Sequence, residues 1–231
     1  MNDHVLKRIV NHKEVSDGHG IFRRDRYLNA AVLIPFVKHQ EAWYVLLQKR
    51  AKDIRQGGEI CFPGGGHEKQ DSSYMETAIR ETIEEIGITR QQIQVFGKLD
   101  TYIGRSGVII EPFIAELTID DLHALEPDHR EVEKLLLVPL IHFMNHEPQL
   151  YHIQVEQASY IIDEDGQHKT LLPVKELGLP NRYAGTWGSS LHEIYVYDYQ
   201  GELIWGITAD ILYDVVKKMA HEIENEEEKA F

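Results

Sequence analysis

Three consecutive glycines, Gly64, Gly65 and Gly66, stand just ahead of a helix-forming stretch that crowds Arg80, Glu81, Glu84 and Glu85 into six residues. Glycine has no side chain, so backbone built from it can approach a neighbour closely. The stretch from about Ser72 to Ile86 carries the stop and start signals of a helix. Asp71, Ser72 or Ser73 can cap it, and Gly87 sits where a left-handed glycine closes a helix. At 3.6 residues per turn, Glu81 and Glu85 lie roughly 40° apart, with Glu84 about 60° to the other side of Glu81. The three carboxylates therefore share one face, where like charges repel by roughly 0.2–0.5 kcal/mol per pair. A solvated acidic face tolerates that repulsion, whereas an opposing cation removes it. The glycine loop, stiffened at its entry by Phe62 and Pro63, favours the cation. Hard oxygen ligands beside backbone that can approach phosphate suit Mg²⁺ or Mn²⁺ bridging to a phosphorylated substrate.

Around this centre the patterning is mixed. Residues 29–37 and 42–48 are apolar, β-branched or aromatic runs separated by the polar segment 38–41, which predicts a hairpin with a four-residue loop. A short strand is expected over 59–62, running into the glycine loop. Residues 93–117 alternate like two strands around Ser106-Gly107, Val132–Leu137 reads as a strand, and Leu140–Asn145 as a brief helix. Residues 1–12 suggest another short helix. From 148 to 190 the pattern predicts two strands and a long loop. A hairpin of 193–197 and 202–205 turns at Gln200-Gly201, and a helix from about Thr208 to Ile223 follows. Strands before, between and after helices predict an α/β or α+β sandwich.

With no repeat, linker or shift of composition, the 231 residues are expected to form a single domain, with a core of about 28–215 and an acidic tail over 222–231. No run approaches the roughly 20 apolar residues of a membrane span, so no membrane partner is expected. The first ten residues lack the apolar stretch of a signal peptide. Cys61 is the single cysteine. It excludes an intramolecular disulfide and suits a cytoplasmic location. With 38 acids against 24 bases the net charge is −14, which repels phosphate backbones and argues against nucleic acid as a partner.

The second half of the acidic segment, Arg80-Glu81-Thr82-Ile83-Glu84-Glu85-Ile86-Gly87-Ile88, resembles the Nudix box, G-x5-E-x7-R-E-U-x-E-E-x-G-U with U a bulky apolar residue. Thr82 departs from it mildly. In the first half Asp71 replaces the usual Glu, and one extra residue precedes Arg80. That departure resembles the coenzyme A pyrophosphatase branch of the family, which carries Phe-Pro-Gly-Gly, an Asp six residues later, and Thr-Ala-x-Arg-Glu. Here these are Phe62–Gly65, Asp71 and Thr77–Glu81. Upstream, Leu46, Leu47, Arg50, Ala51 and Arg55 resemble the branch's Leu-Leu-Thr-x-Arg motif, with Gln48 in place of Thr. The resemblance runs from about Ala30 to Leu212.

The resemblance implies the Nudix α/β/α sandwich with a mixed sheet, and a metal-dependent pyrophosphatase. It assigns Glu81, Glu84, Glu85 and the Gly65 carbonyl to Mg²⁺ or Mn²⁺, and Glu81, Glu84 and Arg80 to catalysis, Arg80 orienting a carboxylate. Arg50, Arg55, Gly64 and Gly65 are candidates for substrate binding. Glu131 or Glu133 is a candidate extra acid, against a reading as plain surface acids. Asp71 is expected to cap the helix rather than meet a metal, and Cys61 to act as a small hydrophobe. The implied partner is a small-molecule diphosphate, favoured as coenzyme A or an acyl derivative. ADP-ribose, a dinucleotide or a non-catalytic sensor role stand as alternatives. Family habit allows a homodimer.

Overall fold

The computed structural model describes residues 20–229 apart from Ser106, Asp120, Leu122 and His123, and of 226–229 the backbone alone. The helix expected over 1–12 and Ser106 of the expected turn lie outside them. Two compact units, Met1–His146 and Glu147–Phe231, divide the chain that the sequence reads as one domain.

The first unit is built on an eight-stranded mixed sheet. Strand β1 (Leu28–His39) forms a hairpin with β2 (Ala42–Arg50), and β2 pairs in turn with β3 (Ile60–Cys61). Strand β4 (Gly64–Gly66) lies antiparallel to β1, opposite Ala30, Ala31 and Val32. The expected glycine loop is thus a strand, because glycines without side chains can press onto β1. A Cβ on Gly64 would stand 2.4 Å from the Ala31 carbonyl oxygen. Strands β5 (Ile93–Lys98) and β6 (Tyr102–Gly104) both pair antiparallel with β7 (Val108–Leu117). Three strands therefore stand where two were expected. β7 runs parallel to β1, and β8 (Val132–Pro139) closes the other side against β2.

The hairpin loop between β1 and β2 is two residues, not four. Gln40 and Glu41 both take positive φ, 48° and 63°, as a primed two-residue turn requires. Lacking Asn or Gly there, the sequence hides the turn.

Helix α1 (Tyr74–Ile86) packs on β1 and β7. Its Ala78, Ile79 and Ile86 join Ala31, Leu33, Val37, Leu46, Phe113, Ala115 and Leu117 in one buried cluster. Ser73 caps the helix by accepting from the Glu76 amide, and Gly87 closes it at φ 78°. Helix α2 (Leu140–Asn145) ends the unit against β2 and β8.

The second unit holds a three-stranded antiparallel sheet of β9 (Gln149–Ala158), β12 (Thr186–Tyr199) and β13 (Glu202–Trp205), and a hairpin of β10 (Tyr160–Ile162) with β11 (His168–Thr170). Region 148–190 is therefore richer in strand than its sequence suggests. The β12–β13 turn at Gln200 and Gly201 stands where expected. Helix α3 (Ile207–Lys229) packs on β12 and β13 and continues through the acidic tail as far as Lys229. Among the described residues no helix is long and apolar enough to cross a membrane.

Candidate active site

Helix α1 presents its acids to strand β4, and burial separates them sharply. Glu85 is 3% exposed and Glu84 59% by side chain, with Glu81 between them. Glu85 Oε2 accepts from the Gly64 amide at 2.8 Å. Burial, only partly offset by that bond and by Gln48, pushes Glu85 up to about 7. Burial raises Glu81 as well, against the pull of Arg80, and the charges of Glu84 and Glu131 add to the rise. A Cβ on Gly65 would stand 2.4–2.6 Å from the Glu81 carboxylate. Only glycine leaves room there, so the β4 backbone lies directly against two acids.

Arg80 holds the outer part of the site together. Its Nε and Nη2 donate to the two oxygens of Asp71 at 2.9 and 3.0 Å. Its Nη1 lies 3.0 Å from Glu81 Oε1 and 3.1 Å from Glu84 Oε2. Asp71 also accepts from the Thr77 hydroxyl at 2.9 Å and the Glu68 amide at 3.0 Å. The Arg80 hydrogen bonds, with these donors, hold the Asp71 carboxyl well below the usual range despite its burial. Asp71 is therefore not the helix cap, which is Ser73; it anchors the guanidinium that spans Glu81 and Glu84. A planar fork suits that task better than an ammonium. His67 Nδ1 meets Thr77 Oγ1 at 2.7 Å, and its ring packs on Tyr74 with centroids 4.3 Å apart.

The other sequence candidates lie in different surroundings. Arg50 donates from Nε to the Arg55 carbonyl at 3.0 Å and sits near enough to Glu85 to favour its charged form. Arg55 is exposed in the loop after β2. Glu131 is exposed and its charge helps raise Glu81, whereas Glu133 is an exposed residue of β8. Cys61 is half-buried, and burial of its thiol beside Glu85 pushes it up to about 11. It stays protonated, which excludes a nucleophile at neutral pH.

The sequence shows Gln48 only as a departure from the Leu-Leu-Thr motif, whereas in the structure it is fully buried on β2 and close to both Glu85 and Cys61. Its signal was a lone amide at the end of an apolar run. Sequence reasoning passed over Glu111 on β7, 2% exposed. Burial raises this second acid, but Lys98, Arg24 and Thr101 outweigh burial and leave it below the ordinary value. The contacts are 2.7 Å to Lys98, 2.5 Å to Arg24 and 2.8 Å to Thr101. Arg24 also lies over the Tyr74 ring, 4.3 Å from its centroid.

Among the described residues no three acidic, histidine or cysteine side chains converge closely enough to cage an ion unaided. A divalent cation here would need phosphate or water oxygens to complete its coordination. Glu81, Glu85, the Gly65 carbonyl and the exposed Glu84 are the oxygen donors available to it.

A model of the NUDIX domain matches residues 26–156. A Photorhabdus laumondii protein named an uncharacterized Nudix hydrolase NudL is 28% identical over 196 residues, which span 84% of this chain and 87% of that protein. The Mus musculus peroxisomal coenzyme A diphosphatase NUDT7 is 31% identical over 53% of this chain and 50% of its own. The Mus musculus mitochondrial coenzyme A diphosphatase NUDT8 is 32% identical over 55% of this chain and 62% of its own. The chain thus matches about half to three fifths of the length of these two diphosphatases. Since the matched residues take in the sheet, the glycine strand and the acidic helix together, the chain belongs to the NUDIX family of hydrolases.

Proposed function

We infer that the chain hydrolyses the diphosphate linkage of coenzyme A or an acyl derivative, with Mg²⁺ or Mn²⁺ as cofactor. The observation that carries this reading is the seating of Gly64 and Gly65 against Glu85 and Glu81. It brings the glycine backbone directly against the two carboxylates. A divalent cation bound there neutralises charge on the phosphoryl oxygens and eases deprotonation of water.

The chain's own residues do the rest. Glu85, held from behind by Gly64, supplies a charge that has little solvent to compete with. Arg80, fastened at Asp71, keeps Glu81 and Glu84 in a fixed orientation. Water attacks one phosphorus in line, the bond from that phosphorus to the bridging oxygen breaks, and the bridging oxygen leaves on the second phosphate. The water proton passes to a helix carboxylate, Glu81 or Glu84. From coenzyme A the products are 3′,5′-ADP and 4′-phosphopantetheine.

Two things support coenzyme A over other nucleoside diphosphate derivatives. Asp71, Thr77 and Arg80, residues of the branch's own motif, form one hydrogen-bonded group. Relatives at 31% and 32% identity are named coenzyme A diphosphatases. Arg50 and Arg55 are assigned to substrate phosphates, and Glu131, near Glu81, to the additional acid. The NUDIX match crosses from the first unit into the second, so the whole chain is taken as one functional domain.

The test is a panel of coenzyme A, acetyl-coenzyme A, ADP-ribose, NADH and a diadenosine polyphosphate with Mg²⁺ or Mn²⁺. Preference for coenzyme A, with 3′,5′-ADP formed and lost in Glu85→Gln, supports the reading. Preference for ADP-ribose or a dinucleotide moves the substrate but keeps the chemistry.

A further inference from the structure

Gln48 is the anomaly of the first unit. It lies on β2 opposite Cys61 of β3 and Leu135 of β8, and it is 0% exposed. Neither its Nε2 nor its Oε1 makes a hydrogen bond of good geometry. A buried amide left in that state is destabilising, and replacing it with an apolar group of the same shape is close to neutral or favourable. A Met at this position would fill the same space without the penalty. The amide is not adrift among apolar groups, however. It lies beside the Glu85 carboxylate and the Cys61 thiol, and both feel it.

The surroundings decide which way the amide works. Cys61, opposite Gln48 on β3, carries an S–H, a weak donor that suits the amide oxygen. That leaves the amide NH₂ for Glu85. The carboxylate already takes the Gly64 amide on Oε2. It has lone pairs to spare and, at 3% exposure, little water to fill them.

We propose that Gln48 is a positioning residue for Glu85: its carboxamide completes a hydrogen bond to that carboxylate when the carboxylate turns onto a divalent cation. The inference rests on the metal-dependent reading above. It goes beyond it in assigning a residue outside the acidic helix. Neither amide atom of Gln48 has a hydrogen bond of good geometry, and this bond would give the amide its missing partner. With the cation in place, Gly64 and Gln48 grip the carboxylate from two sides and fix the oxygen that faces the metal. Partners of this kind, removed, typically weaken metal affinity by about 10–100-fold.

The experiment measures Mn²⁺ binding by calorimetry, cation-free melting temperature and steady-state kinetics for wild type, Gln48→Met and Gln48→Asn. Gln48→Met is expected to melt at or above the wild-type temperature without metal, because it removes an unsatisfied polar group. Its Mn²⁺ affinity should fall about tenfold or more, and kcat should drop at saturating substrate with KM little changed. Gln48→Asn, one methylene short of Glu85, should share the loss of Mn²⁺ affinity. Wild-type Mn²⁺ affinity in Gln48→Met, or a cation-free form that melts well below wild type or fails to fold, overturns the assignment and makes Gln48 a structural residue. A wild type that binds Mn²⁺ yet leaves coenzyme A intact overturns the substrate reading alone. A wild type that binds no Mn²⁺ overturns both.

Discussion

Glu85 and Glu111 are the same residue, in the same unit, at 3% and 2% exposure, yet their surroundings push them in opposite directions. Glu111 has Arg24, Lys98 and Thr101 around it and sits below the ordinary carboxylate value although burial works against it. Glu85 has a backbone amide and a poorly engaged side-chain amide, and burial lifts it to about 7. Burial raises the cost of charge in both places. The difference is whether the chain supplies the counter-charge. At Glu111 it does, and the carboxylate ties β7 to β5 and to the segment before β1. At Glu85 only Arg50 supplies positive charge, and it does not offset burial. An acid the fold leaves uncompensated is a place for chemistry; one it compensates fully is a fastening.

The contrast can be broken most directly by neutralising each acid. Glu85→Gln is expected to lower kcat about 10³-fold or more, as loss of a metal-held charge stabiliser does. Its cation-free stability should be unchanged or raised. A Glu85→Gln enzyme within tenfold of wild type would remove Glu85 from the metal site. Next in size is the effect of the cation. Mn²⁺ at about 100 times its dissociation constant should stabilise wild type by about 2.7 kcal/mol. Glu111→Gln should show the same gain and Glu85→Gln most of its loss, read from urea midpoints. Glu111→Gln itself should cost about 2 kcal/mol, because it strands two cations on a buried neutral amide. Its turnover in the folded state should stay within about threefold of wild type, which is under 1 kcal/mol of barrier.

The pH dependence sharpens the same comparison, since the two signs are opposite. A group raised on folding stabilises the fold below its unfolded value, and that contribution is lost as pH climbs through the folded one. For Glu85 in cation-free protein the window runs from about 4.5 to about 7. Glu111 is lowered on folding, so its contribution is present above 4.5 and is lost as pH falls below it. Glu85→Gln should therefore flatten stability between about pH 4.5 and 7, and Glu111→Gln should flatten the acid limb. Exchanged limbs would contradict the assignments. The smallest effect expected is that of Lys98→Met, under about 1 kcal/mol, because the ammonium is 46% exposed. Arg24→Met, whose guanidinium also lies over Tyr74, should cost more.

Much of the site's cast is legible in the chain. Spacing alone placed Glu81, Glu84 and Glu85 on one helical face, and the ends of α1 fell within two residues of their expected positions, since capping and closing signals are local. The turn at Gln200-Gly201 was visible because glycine at positive φ announces itself, whereas Gln40-Glu41 adopts the same geometry with residues that give no sign of it. Asp71 was misread as a cap because its partner Arg80 lies nine residues on, beyond any local rule.

By itself the sequence determined the acidic helix, the glycine run ahead of it and the family to which they belong, because these depend on residue types at short, fixed separations. Which acid would be buried and which left in water was decided only by tertiary packing. Glu84 and Glu85 are neighbours in sequence, but a helix turns about 100° between them, sending one toward solvent and the other beneath β4. The counter-charges of Glu111 arrive from β5 and from the segment before β1, and Gln48 reaches Glu85 from β2. Protonation states are set by burial and by partners distant in the chain, and only the folded sheet brings those together.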